Sequence, residues 1–285
     1  MRIVPVLFPC DLGRTERGTH APSGERSADA ILLDLFEGEG VRLARPIVVP
    51  IPAPLPPEDP QTPLKQDAAI AAAVRALADI VARVNAEGAF PVVLGGDQLA
   101  MCGQVLGHSS RHKAGIGLAV LADAYLDLAT PAEPALDDLA RLRTDPTVTK
   151  DGDAHGMVLA AALRLLPDTT AFGAAMAASA VQAATTSVVG IRGSESAQVK
   201  ARAKGLGAEI WRMERLELDG ETAYRAMLTR HLAKGPIALS LDARGLDPHL
   251  MTAVSDPAPD GLDWSFLKRS LEQCLPHIDR ILGLD

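Results

Sequence analysis

The sequence predicts an α/β protein built on a mainly parallel sheet with helices on both faces. Short apolar runs without polar alternation, such as Phe90–Leu94 and Ile116–Leu121, have the composition of strands buried on both sides. They alternate with helical segments, the clearest being 65–87, where Ile70, Val74, Leu77, Ile80, Val81 and Val84 recur at three-to-four spacing. The length of 285 residues and the hydrophobic content of 47% suffice for one large core, and neither side of any linker is complete alone, so a single domain over 1–285 is expected.

Taken in order, Arg2–Phe8 is the first strand, followed by a polar loop over 9–24. Ser27 is placed to cap a helix over 28–36 that stops at Gly38 and Gly40. Residues 46–51 form a short strand, and the proline-rich stretch 52–63 an extended surface excursion. After the helix 65–87 and the strand Phe90–Leu94, Gly95-Gly96-Asp97-Gln98 turns the chain into a helix from Leu99. Ile116–Leu121 is the next strand, 128–153 a long loop, and His155-Gly156-Met157 opens another helix. The alanine-rich region 171–184 predicts helix. Ser187–Ile191, 208–211, 236–242 and Ile278–Leu284 are expected strands. Helices are expected over 194–204, 220–234 and 263–275, the last capped by Asp263.

The net charge of −8 argues against nucleic acid as a partner, because phosphate binding needs a basic face. No apolar run approaches the roughly 18 residues of a membrane span. Cys10, Cys102 and Cys274 are scattered and odd in number, which fits a reducing cytoplasm rather than a disulfide framework. Cytoplasmic localisation is therefore expected.

Two acidic segments dominate the chemistry. In Leu239–Asp247, strand alternation turns Asp242 and Arg244 to one face, at the carboxyl end of a buried strand where open α/β sheets bind ligands. In Leu121–Asp127, the same alternation groups Asp123, Tyr125 and Asp127.

Together with Gly95-Gly96-Asp97-Gln98, His155-Gly156-Met157 and Val189-Gly190-Ile191-Arg192, these segments resemble, in order and spacing, the motifs of the ureohydrolase family, which includes arginases and agmatinases. The resemblance implies a three-layer α/β/α, arginase-like domain. It also implies a site where two manganese ions, held by two histidines and four aspartates, activate water for attack on a guanidinium carbon. Carried over, one ion's ligands fall on Gln98, Asp123, Asp127 and Asp242, and the other's on Asp123, Tyr125, Asp242 and Arg244. Gln98 and Tyr125 stand where the family has histidines, and Arg244 where it has an aspartate. Gly193 stands where an aspartate is expected, with Glu195 nearby.

Arg244 is decisive, because a guanidinium is always charged. Two unit charges about 4 Å apart interact by roughly 4 kcal/mol at an effective dielectric of about 20, and a divalent ion about doubles the repulsion. The expectation is a degenerate site without metal, with Arg244 as the cation that replaces it, and His155, a proton shuttle by resemblance, as a helix-entry residue that bonds the loop. The alternative is a single Mn²⁺ or Mg²⁺ on Gln98, Asp123, Asp127 and Asp242, with hydrolysis of a C–N bond in a guanidino or amidino compound and His155 as acid/base. The sequence ends Gly283-Leu284-Asp285, so the family's substrate-gripping glutamate and final helix are expected to be missing. A pseudoenzyme serving as a binding or non-catalytic subunit follows as the functional expectation, partnered by an active paralogue or by copies of itself.

Overall fold

The computed structural model describes residues 1–13, 41–54, 64–131, 152–254 and 257–285. The helix expected over 28–36 and most of the excursion 52–63 and of the loop 128–153 lie outside these residues. Among the described residues nine strands form one sheet: β1 (Arg2–Phe8), β2 (Arg42–Leu43), β3 (Ile47–Val48), β4 (Phe90–Gly95), β5 (Ile116–Val120), β6 (Val181–Ile191), β7 (Glu209–Arg212), β8 (Ile237–Ser240) and β9 (Ile281–Leu284). Their order is β2-β1-β4-β9-β8-β5-β6-β7, with β3 also beside β1. Every pairing is parallel.

Alternation within the strands feeds two cores, one on each face of the sheet. Val4, Val6, Phe8, Leu118 and Val120 pack on one side. There they meet α1 (Asp67–Ala86), α2 (Leu99–Ser109), α3 (Val158–Ala162) and α4 (Ala171–Met176). The intervening Ala119 and Leu121, with Ile237 and Leu239, face the other side. That side is covered by α6 (Met213–Lys234) and α7 (Trp264–Cys274); α5 (Ala197–Leu206) lies between β6 and β7 in the chain. The result is the three-layer α/β/α arrangement expected. Leu77 and Gly103 show how closely α1 and α2 approach: a Cβ on Gly103 would lie 2.5 Å from a Leu77 methyl carbon. No described helix is long and apolar enough to cross a membrane.

Three expectations need correction, the smallest being that residues 278–280 lie in the 3₁₀ segment Leu275–Arg280 and not in the last strand. The alanine-rich region is helical only through Met176, where Thr170 caps α4 by accepting from the Gly173 amide; from Val181 the chain is strand β6, paired with β5. Sheet pairing of Val181 with Ile116 and of Thr186 with Leu118 overrides the helix preference of Ala183 and Ala184. The helix expected at 220 begins at Met213, and Gly220, at φ 80°, breaks it into two segments. The cap at Asp263 is present, its carboxylate accepting from the Phe266 amide at 2.5 Å.

Candidate functional site

The site residues follow the carboxyl ends of four contiguous strands: Gly96–Gln98 after β4, Asp285 after β9, Asp242–Arg244 after β8 and Asp123–Asp127 after β5. Backbone bonds hold these loops together. The amides of Leu121 and Asp242 donate to the carbonyls of Ser240 and Ala122, and those of Arg192 and Gly193 to Ala124. Gly245 must be glycine for this approach, because a Cβ there would stand 2.4 Å from the Asp123 nitrogen.

Neither acidic segment reaches its geometry by strand alternation, which corrects the expectation. Strand β5 ends at Val120 and β8 at Ser240. Asp127 lies at φ +47°, a left-handed conformation that aspartate tolerates better than most residues, and its carbonyl accepts from the Leu159 and Ala160 amides. Asp242 caps the short 3₁₀ turn 243–245, accepting the Arg244 amide at 2.7 Å, and this turn folds the Arg244 side chain back over its own cap.

The Arg244 guanidinium lies at the centre. Nε donates to Asp242 Oδ2 at 2.9 Å, and Nη2 donates to Asp127 Oδ2 at 2.9 Å and to Gln98 Oε1 at 2.8 Å. Nη2 also lies 3.7 Å from Asp123 Oδ1. Gln98 closes the ring, donating from Nε2 to Asp123 Oδ2 at 2.7 Å. The Tyr125 ring covers the guanidinium carbon, 5.2 Å from ring centre to Cζ. The structure thus brings together Gln98, Asp123, Tyr125, Asp127, Asp242 and Arg244. Among the described residues, no group of three or more His, Cys, Asp or Glu side chains is arranged to hold a metal ion.

Burial decides the electrostatics. The Arg244 side chain is 6% exposed, and those of Asp123 and Asp127 are 4% and 5% exposed. Burial alone would lower the Arg244 pKa, but Asp242, Asp127 and Asp123 overcome it and hold it well above the usual arginine value. Burial pushes the Asp123 carboxyl well up, and the neighbouring Asp127 and Asp242 add to the rise against the pull of Arg244.

A cavity of about 300 Å³ opens beside the cluster, lined by Arg244, Asp242, His155, Asp97 and Asp285 among others. His155 donates from its backbone amide and from Nδ1 to the Gly13 carbonyl, at 3.0 and 3.3 Å. Asp97 accepts from the Gly13 and Leu99 amides. Asp285 accepts from Ser240 Oγ at 2.8 Å and from Gln104 Nε2 at 2.5 Å, and burial pushes its carboxyl up to about 7. Glu195 pairs with Arg212 rather than joining the cluster. Cys102 is buried, its Sγ 3.5 Å from the Val158 carbonyl, and burial raises its thiol far above the reactive range.

Two features escape a sequence reading. Arg192, present in the motif pattern but given no role by it, donates to the carbonyls of Gly190, Arg244, Gly245, Leu246, Ala258 and Pro259. It clamps the turn that carries Arg244. Gly193 makes room for Tyr125: a Cβ there would stand 2.3 Å from two carbons of the phenol ring. The signal was a glycine where an acid was expected, beside a tyrosine where a histidine was expected.

The sheet order, the loops at its carboxyl edge and the motif positions define an arginase-type domain, and the chain belongs to the arginase family, whose model matches residues 3–285. It is 29% identical over 276 residues to an arginase of Brevibacillus brevis, covering 95% of this chain and 84% of that protein. Against arginase-1 of Sus scrofa it is 28% identical over 220 residues, which is 62% of that protein. Among solved structures, arginase from Bacillus caldovelox matches with a TM-score of 0.79 at 26% identity, covering 99% of this chain and 88% of that one. Proclavaminate amidino hydrolase from Streptomyces clavuligerus shares the fold, with a TM-score of 0.63 at 16% identity.

Proposed function

We propose that this chain is a non-hydrolytic arginase relative whose buried arginine stands in for the metal centre, and that its role is binding, as a small-molecule module or as a non-catalytic subunit beside an active relative. The observation that carries this is the Arg244 guanidinium, which donates to Asp242 and Asp127 while Gln98 ties itself to both Arg244 and Asp123. A dinuclear manganese centre does not fit these residues. Asp242 and Asp127 already accept from a fixed positive charge and Asp123 from the Gln98 amide, and Tyr125 and Gln98 offer no imidazole. Without a metal to polarise water, nothing in the cluster makes a nucleophile strong enough for a guanidinium carbon. His155, bonded to Gly13, acts as a positioning residue for the loop.

The test is elemental analysis of the purified protein after incubation with Mn²⁺, Mg²⁺, Ni²⁺ and Zn²⁺ and desalting. The expected result is no stoichiometric metal and no urea release from arginine, agmatine or guanidinobutyrate. Two ions per chain, or metal-dependent urea release, would overturn the reading.

One observation favours a second reading. Gln98, Asp123, Asp127 and Asp242 all converge on one point, Arg244 Nη2. A single Mg²⁺ or Mn²⁺ that displaced that nitrogen would meet oxygen ligands alone, the donor set hard cations take. This reading predicts one ion per chain and an activity that both a chelator and Asp127→Asn abolish. If neither treatment changes anything, it is wrong.

A further inference from the structure

From the donors left over in the cluster we infer that the cavity takes an uncharged ureido or carboxamide group, its carbonyl oxygen held by Arg244 and its N–H groups by the acidic wall. This rests on the reading of Arg244 as a permanent resident of the site.

Arg244 lines the cavity, yet its side chain is 6% exposed. Its backbone amide, Nε and Nη2 are all engaged, by Asp242, Asp127 and Gln98. Among the described residues Nη1 makes no hydrogen bond. A guanidinium carries five donors in a rigid plane, so engaging one edge fixes the direction of the other. Nη1 is not sealed from open space, and the cavity that Arg244 lines is where an acceptor can enter. Its volume is at the small end of the roughly 300–1,000 Å³ usual for ligand pockets, which suits a small polar molecule.

The walls then select the acceptor's charge. Asp97, Asp242 and Asp285 line the same space, so an anion that reached Nη1 would meet carboxylates around it. A ligand guanidinium would meet the Arg244 guanidinium and offer it no acceptor. A neutral ureido or carboxamide group has what both walls need: one carbonyl oxygen for Nη1 and N–H donors for the carboxylates. Each carboxylate oxygen can accept a further bond beyond those already made. Leu241, Ala253 and Val254 supply apolar lining for an aliphatic tail. Arg244 in place of an aspartate thus shifts the contact at Nη1 from one that suits a cation to one that suits a neutral acceptor.

The test uses matched pairs that differ only in oxygen for charged nitrogen: L-citrulline against L-arginine, and N-butylurea against N-butylguanidinium. Binding to the purified full chain is measured by titration calorimetry. In both pairs the ureido member is expected to bind at least about tenfold tighter. Arg244→Lys keeps the charge but loses the fork, and is expected to erase the preference. Ala253→Trp fills the rim without replacing any charged residue, and is expected to weaken the ureido ligands at least about tenfold, which keeps the test decisive if the lysine variant does not fold. Tighter binding of the guanidinium members, ureido binding unchanged by Ala253→Trp, or no ureido binding up to about 10 mM would each overturn the inference. Stoichiometric metal would instead sink the proposed function itself. A metal-free protein that prefers guanidinium would sink only the ligand class.

Discussion

Two arginines follow the carboxyl ends of neighbouring parts of the sheet and do opposite things. Arg192, half-buried after β6, directs its donors to backbone carbonyls. Arg244, buried after β8, directs its donors to carboxylates and an amide. Their titration follows the partners. Burial lowers the Arg192 pKa, and the more distant acids do not make up the loss. Around Arg244 three carboxylates outweigh the same penalty. Dipoles can position a cation, but only anions can make its burial worthwhile, and the converse holds for the anions. Arg192 is therefore a clamp that acts through geometry. Arg244 is a counter-ion without which the aspartates repel one another.

The contrast is broken most directly by removing each charge. Arg244→Met leaves buried carboxylates without their cation and is expected to cost about 3–5 kcal/mol near neutral pH. The sign of the pH dependence follows from Asp123, whose folded-state pKa is already raised. A carboxyl raised in the folded state takes up its proton there before it does in the unfolded chain. Folding is then penalised progressively as pH rises through the window above the unfolded value. Without Arg244 that penalty grows, so the deficit against the parent protein should be largest near pH 7 and shrink toward pH 4. Chemical denaturation across this range measures it, and a deficit independent of pH would show that Arg244 acts by packing alone.

Arg192→Met is the matched control. It removes the donors from the carbonyls of Arg244, Gly245, Leu246 and Ala258 and should cost about 2–3 kcal/mol. Carbonyls do not titrate, so the loss should be nearly constant between pH 4 and 7. A deficit that tracks that of Arg244→Met would mean the clamp works mainly by holding the counter-ion in place, and the two roles would then be one.

Most of the scaffold was legible in the sequence because buried parallel strands and amphipathic helices write strong patterns. Arg2–Phe8 and the helix from 67 to 86 appear almost as their apolar spacing predicts. The region 177–184 was not legible, because alanine is neutral as to burial and the outcome was set by pairing with β5. At the site, the right residues were visible but not the way they meet. Alternation placed Asp242 and Arg244 side by side, whereas a capped 3₁₀ turn does so in the structure. Arg192 was present as a letter in a motif, but its partners are carbonyls, which every residue has, so no side-chain pattern could announce them.

The smallest expected effect sharpens the contrast from the side of Tyr125. Gly193 is not in a left-handed conformation, so an alanine there meets no backbone strain and the cost is steric. The new Cβ would stand 2.3 Å from the Cδ1 and Cε1 atoms of Tyr125 and 3.1 Å from the Ala124 carbonyl oxygen. Those ring carbons are near the base of the side chain, so the ring must swing away as a whole and uncover the Arg244 guanidinium. Gly193→Ala is expected to cost about 1–2 kcal/mol by overpacking. In a Tyr125→Ala background the same substitution should cost clearly less, since the remaining contact, 3.1 Å to the Ala124 carbonyl oxygen, asks that one neighbour to give by only a few tenths of an ångström. A double-mutant cycle measured by denaturation gives the coupling. Equal costs in both backgrounds would place the clash on the Ala124 backbone and leave Tyr125 no part in covering the buried cation.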